Sequence, residues 1–167
     1  MSITLIGMPS CGKSTVGVLL AKQLGLRFID SDLVIQNKEG KLLHEIIKQE
    51  GNAHFLEIES RVNCSIRDSG AVISTGGSAV YSDAAMKHLA ELGPIIYIEI
   101  SYEEMVSRLG DYVHRGVVLP KGYTLADLYR ERTALYRQYA HITVNGEHGI
   151  PETIAAILKG LQKLNAT

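Results

Sequence analysis

Ile3-Thr4-Leu5-Ile6-Gly7-Met8-Pro9-Ser10-Cys11-Gly12-Lys13-Ser14-Thr15 is the stretch whose reading decides the fold. Its first four residues are an apolar run of strand length. Residues 7–14 spell G-x-x-x-x-G-K-[ST], and the segment that follows sets Val16, Leu19, Leu20 and Leu24 on one face of a helix. Strand, loop and helix in this order make a phosphate site. Successive backbone N–H groups and the helix N-terminus converge on an anion. Gly7 and Gly12 let the chain turn with no Cβ in the way. Lys13 can reach the outer phosphates of a nucleotide, and the Ser14 hydroxyl can hold Mg2+. Ser10, Cys11 and Thr15 belong to the same cradle. Cys11 reads as a small loop-filling residue, although a helix N-terminus also lowers a thiol pKa.

Outward from this stretch, strand-like runs at 3–6, 27–29, 71–74, 95–100 and 141–144 alternate with helical patterns. The helical stretches lie near 13–24, 32–50, 54–68, 82–91, 102–109 and 124–139, with a last helix opening at Pro151. Ser101-Tyr102-Glu103-Glu104 and Thr124-Leu125-Ala126-Asp127 read as capping boxes. Such alternation predicts an α/β domain with a parallel sheet covered on both faces. Its ligands belong at the carboxyl ends of the strands. The 7–14 loop, Asp30 and Thr75-Gly76-Gly77 all fall at such ends.

Composition narrows the function classes. The 167 residues suffice for one domain, are 46% hydrophobic and 21% charged, and carry a net charge of −1. Near-neutrality disfavours nucleic acid and anionic membrane as partners. The apolar runs are too short to span a bilayer, and the N-terminus resembles no secretory leader. Two cysteines imply no disulfide framework, and the six histidines show no metal-ligand spacing. The expectation is a cytoplasmic, monomeric domain.

Four further groups can carry chemistry. Asp30 and Asp32 follow the second strand. One can hold Mg2+ and the other can orient or deprotonate a hydroxyl. A helix N-cap with a first-turn acid explains the pair as well. Gly76 and Gly77 offer backbone N–H donors to a small polar ligand, or simply form a turn. Arg132 interrupts the apolar stripe Leu125, Leu128, Leu135, Tyr136 and Tyr139. A guanidinium there needs a ligand anion, an internal acid or a route to water. Residues 108–123 carry Arg108, His114 and Arg115, with glycines at 110, 116 and 122 that let the segment move. They read as a basic lid over a transferring phosphate, or as a solvated loop. Tyr81, Tyr97 and Tyr102 read as packing or surface residues.

With these residues together, the chain resembles the shikimate kinase family along nearly its whole length. The matching stretches are 7–15, 28–32, 55–59, 75–78, 115–118 and 132–136. The resemblance implies a three-layer P-loop kinase fold, with a five-stranded parallel sheet, a substrate-binding helical region near 31–62 and a lid near 109–122. It implies ATP and Mg2+ as cofactors, and shikimate as the hydroxy-acid acceptor. It assigns Lys13 and Arg115 to the transferring phosphate, Ser14 and Asp30 to the metal, and Arg108 to the nucleotide. Asp32, Phe55, Gly76, Gly77 and Arg132 fall to the acceptor.

The chain departs from the family pattern at four positions. Leu56 stands where the F-R-x-x-E helix has its arginine, which removes a second clamp on the acceptor carboxylate. One charge-assisted hydrogen bond contributes about 1.5–3 kcal/mol, roughly 10- to 150-fold in affinity. Arg61 lies about 140° round the helix and does not replace it. Ser78 stands for a third glycine, Gly116 for a lid proline, which predicts a looser lid, and Ser10 for a common loop glycine. The alternatives are therefore a same-fold kinase of another polyol or sugar acid such as gluconate, and a nucleotide-binding protein without transfer activity.

Overall fold

The computed structural model describes residues 1–110 and 116–166. Five parallel strands form one sheet: β1 (Ile3–Ile6), β2 (Arg27–Asp30), β3 (Ala71–Ser74), β4 (Ile95–Glu99) and β5 (Ile142–Asn145), in the order β2-β3-β1-β4-β5. Every residue of β1 and β3 is buried. Strands covered on both faces carry continuous apolar runs, which is why these segments show no alternation. The helices are α1 (Lys13–Leu24), α2 (Ser31–Glu39), α3 (Leu43–Ser65), α4 (Asp83–Leu92), α5 (Tyr102–Leu109), α6 (Leu125–Tyr139) and α7 (Ile150–Asn165). α1 lies flush on the sheet because residue 17 is glycine: a Cβ there would sit 2.5 Å from the Phe28 ring. Among the described residues, no helix is long and apolar enough to cross a membrane.

The strand register brings the site together. Asp30 pairs with Ser74, and Leu5 pairs with Ser74 from the other side. The backbone N–H and Oγ1 of Thr75 both donate to the Leu5 carbonyl, at 3.2 and 3.0 Å. The turns after β1, β2 and β3 are thereby held side by side. Over them stands a second, smaller core of Ile35, Leu43, Ile46, Phe55, Ile58, Val62 and Val118. It gives the predicted region near 31–62 its own packing.

The elements depart from the sequence expectation in a few places. The stretch expected as one helix over 32–50 breaks at Gly40, whose φ of 65° ends α2 with its N–H on the Gln36 carbonyl. α3 then runs through the expected gap, with only Gly51 non-helical. Residues 79–81 form a 3-10 turn, too short to leave a periodic signature. Ser101 caps α5 by accepting from Glu104 N–H at 3.2 Å, but the reciprocal arm comes from Glu147, not Glu104. Glu104 instead pairs with Arg108 one turn on. The box at Thr124 and Asp127 has both arms.

Candidate active site

The loop between β1 and α1 turns on three residues. Gly12 has φ 95° at the start of α1. Gly7 has φ 151°, and a Cβ there would sit 2.7 Å from the Ile98 carbonyl oxygen and 2.8 Å from Cys11 Sγ. Ser10, at φ 65°, is the one non-glycine of positive φ among the described residues. Lys13 Nζ lies back over the loop, donating to the carbonyls of Gly7 at 2.9 Å and Met8 at 2.8 Å. Cys11 is buried under the turn, as a loop-filling residue is.

Ser14 Oγ donates to Asp30 Oδ2 at 2.8 Å and lies 3.3 Å from Ser74 Oγ. The other oxygen of Asp30 accepts from the N–H groups of Asp32 and Leu33, at 3.0 and 3.4 Å. The helix-cap reading of Asp30 therefore holds. One oxygen caps α2, and the other faces the Ser14 hydroxyl.

These groups open on a cavity of about 690 Å3. Ser10, Gly12, Lys13, Ser14, Thr15 and Arg108 line it, and so do Asp30, Asp32, Phe55, Gly76, Gly77 and Arg132. Its size suits a ligand pocket. Gly7 and Cys11 are not in its wall; they shape the loop from behind. Arg108 is held by Glu104 at 2.5 Å and by the Gly146 carbonyl at 3.3 Å. Arg115 and residues 111–114, part of the stretch 109–122 expected as a lid, lie outside the described residues.

Two carboxyls flank Gly76. A Cβ on residue 76 would sit 2.7 Å from Asp32 Oδ1, and closer still to Glu59 Oε1. Only glycine leaves room between them. Burial, aided by the neighbouring Asp30 carboxylate and opposed by Lys13, pushes the Asp32 carboxyl up to about 6. Burial pushes fully enclosed Glu59 up to about 7, against a hydrogen bond from Ser78. Asp32 adds to that rise, while Arg132 and Lys13 oppose it. Oε2 of Glu59 accepts from Ser78 Oγ at 2.6 Å, while Oε1 has no hydrogen-bond partner among the described residues.

Arg132 is 1% exposed. Its Nη2 donates to the Val118 carbonyl at 2.9 Å, its Nε lies 3.4 Å from the Tyr81 hydroxyl, and its guanidinium sits 5.4 Å from the Tyr81 ring centre. Among the described residues it forms no ion pair. Glu131, its neighbour in sequence, accepts instead from the hydroxyls of Tyr81 at 2.7 Å and Tyr123 at 3.0 Å. Among the described residues the acid that acts on it is Glu59, through space and without an ion pair, and the guanidinium lines the cavity. Tyr81, read from sequence as packing or surface, is thus a partner of Arg132. No periodicity or spacing marked it.

The departures from the family pattern also find their places. Leu56 lines a separate recess of about 90 Å3, shared with Glu59, Ser78 and Tyr81. Arg61 is exposed and donates to Glu39 at 3.1 Å, so it does not stand in for the missing arginine. Gly116, where the family pattern has a proline, has a local packing role. Its φ is 66°, which proline cannot adopt, and a Cβ there would lie 2.6 Å from Leu43 Cβ. The glycine lets the segment from residue 116 pack closely on α3. There Val118 is buried and the Leu119 carbonyl accepts from Asn52 at 3.2 Å.

Relatives share this fold over nearly the whole chain. Residues 9–162 match the shikimate kinase family model. A shikimate kinase of Clostridium botulinum (strain Eklund 17B / Type B) is 39% identical over 161 residues, covering 94% of each chain. The crystal structure of shikimate kinase from Aquifex aeolicus superposes with a TM-score of 0.88 at 32% identity, over 99% of this chain and 98% of that one. Shikimate kinase from Acinetobacter baumannii, in complex with shikimate, superposes at 0.85 and 30% identity, over 98% and 93%. The chain belongs to the shikimate kinase family, with its P-loop kinase fold.

Proposed function

We propose that the protein transfers the γ-phosphoryl group of ATP to a ring hydroxyl of shikimate. The observation that carries this reading is Arg132: a buried guanidinium without an ion-pair partner among the described residues, in the wall of the cavity that the phosphate loop also lines. A buried charge of this kind calls for an anion, and a planar guanidinium matches a carboxylate. The family relationship supplies the acceptor whose carboxylate fits it.

The loop amides and Lys13 hold the triphosphate, Lys13 leaving the carbonyls it now touches. Asp32 orients the acceptor hydroxyl and takes its proton as the oxygen bonds to the γ-phosphorus and the bond to the β-phosphate oxygen breaks. A carboxyl titrating near 6 is suited to that exchange at neutral pH. Positioning and charge neutralisation carry most of the rate in such transfers. The hydroxyl of Ser14 beside the Asp30 carboxylate is a hard oxygen set that fits Mg2+. When bound, Mg2+ neutralises charge on the β- and γ-phosphates. Arg108 binds the nucleotide end, and the lid arginine Arg115 closes over the transferring group.

ADP release with shikimate, gluconate and no acceptor tests the proposal. Shikimate-dependent ADP formation that requires divalent magnesium is expected. ADP formation with gluconate and none with millimolar shikimate would overturn the acceptor. That outcome would favour the second reading, a sugar-acid kinase, to which Leu56 and Ser78 point.

A further inference from the structure

The acceptor end holds a group that the transfer step leaves unused. Glu59 is 1% exposed, and one of its oxygens has no partner among the described residues. That oxygen, Oε1, faces the space over Gly76 that Asp32 Oδ1 also faces. A buried, unpaired carboxyl oxygen costs free energy unless something in the cavity completes it. The other oxygen is held by Ser78, whose hydroxyl is itself buried. Leu56 lies three residues before Glu59 on α3, beside Ser78 and Tyr81 in the small recess. Positions i and i+3 share a helix face, so residue 56 is where a cation would meet Glu59. In this chain a leucine fills that place, and Ser78, which lines the same recess, donates to Glu59.

We propose that Ser78 is a specificity-determining positioning residue: its hydroxyl clamps Glu59 Oε2 so that Oε1, beside Asp32, accepts a hydroxyl of the acceptor. The site then selects a hydroxy-acid with one carboxylate, for Arg132, and neighbouring hydroxyls, for the two carboxyls astride Gly76. This inference rests on the proposed acceptor and adds a recognition element to it. The groups facing Glu59 are Asp32 from α2, Arg132 from α6, Lys13 from α1 and Ser78 from the loop after β3. Ser78 stabilises the ionised, hydroxyl-accepting form, as Arg132 and Lys13 also do, so its loss moves the Glu59 titration upward.

The test is steady-state kinetics of Ser78→Ala, Ser78→Gly, Ser78→Thr and Leu56→Arg/Ser78→Ala, with shikimate and ATP varied separately between pH 5.5 and 8.5. Removal of the hydroxyl should raise the KM for shikimate about tenfold, with the KM for ATP changed less than about twofold. The acid limb of kcat/KM should move to higher pH. Ser78→Thr should retain most of the affinity, and Leu56→Arg should restore part of what Ser78→Ala loses. A merely structural serine predicts a lower melting temperature with an unmoved pH profile and equal changes for both substrates. Either that pattern or an unaltered KM for shikimate in an active Ser78→Gly protein overturns the inference alone. An unsubstituted protein that fails to phosphorylate shikimate overturns the acceptor and this inference together.

Discussion

The proposed phosphate end of the cavity and its proposed acceptor end are built in opposite ways. The phosphate end comes from consecutive residues, 7–14, and much of its chemistry is backbone: amide groups, two glycine turns and a helix terminus. The acceptor end is assembled from four distant segments. Asp32 comes from the first turn of α2, Glu59 from α3, Gly76 to Ser78 from the loop after β3, and Arg132 from the middle of α6. Backbone chemistry tolerates a changed side chain, so Ser10 and Cys11 leave the phosphate loop recognisable. Side-chain chemistry does not. One leucine at 56 and one serine at 78 change which groups Glu59 can meet.

Substitutions at the two ends should therefore fail differently. Lys13→Ala removes charge stabilisation of the transferring group and should lower kcat by at least about 10²-fold. Arg132→Met should leave the KM for ATP near its original value while raising that for shikimate about 100-fold. Equal effects of Arg132→Met on both substrates would erase the division between the two ends. Its thermal melting adds a second reading: a guanidinium awaiting a ligand predicts an unliganded variant at least as stable as the parent.

A smaller effect sharpens the picture of the acceptor end alone. The Glu59 carboxyl titrates near 7 against an ordinary 4.5, so the folded state binds this proton more tightly than the unfolded chain. Its contribution to stability is therefore most favourable at low pH and declines as pH rises from about 4.5 to 7. Glu59→Gln removes that cost. Urea unfolding should show the variant more stable by about 3 kcal/mol at pH 8, with little difference at pH 4. An equal gain at both pH values would exclude the carboxylate as its source.

The smallest effect belongs to the phosphate end. Ser10 holds a left-handed conformation that costs an L-residue about 1–2 kcal/mol, while glycine adopts it freely. After the greater chain entropy of glycine is counted, Ser10→Gly should gain about 1 kcal/mol in urea unfolding. A loss would mean that the hydroxyl, which donates to the Pro9 carbonyl at 2.5 Å, matters more than the backbone strain.

What could be read in advance follows the same division. The strands and most helix ends were legible, because buried parallel strands are continuous apolar runs and caps leave local signatures. The break at Gly40 was not, because an isolated glycine inside a polar helix has no fixed meaning until its φ is known. Arg132 was conspicuous as a charge in an apolar stripe, but its partners were invisible: Tyr81 lies 51 residues away in sequence and Val118 lies 14. The close approach of Gly116 to Leu43 was likewise invisible, because the two residues are 73 apart in sequence.

The order of residues alone determined the α/β alternation, the phosphate loop and the identity of the acids and arginines that could act. These are properties of neighbours along a chain: periodicity, spacing and turn chemistry. Only the tertiary structure decided that Asp32 and Glu59 stand on either side of Gly76, that Ser78 reaches Glu59, and that Arg132 is buried without an ion-pair partner among the described residues. Those facts depend on the parallel register of β1, β2 and β3 and on how α3 and α6 pack over the strand ends. Side chains far apart in sequence acquire shifted acidity and unmet charge only when folding excludes water around them.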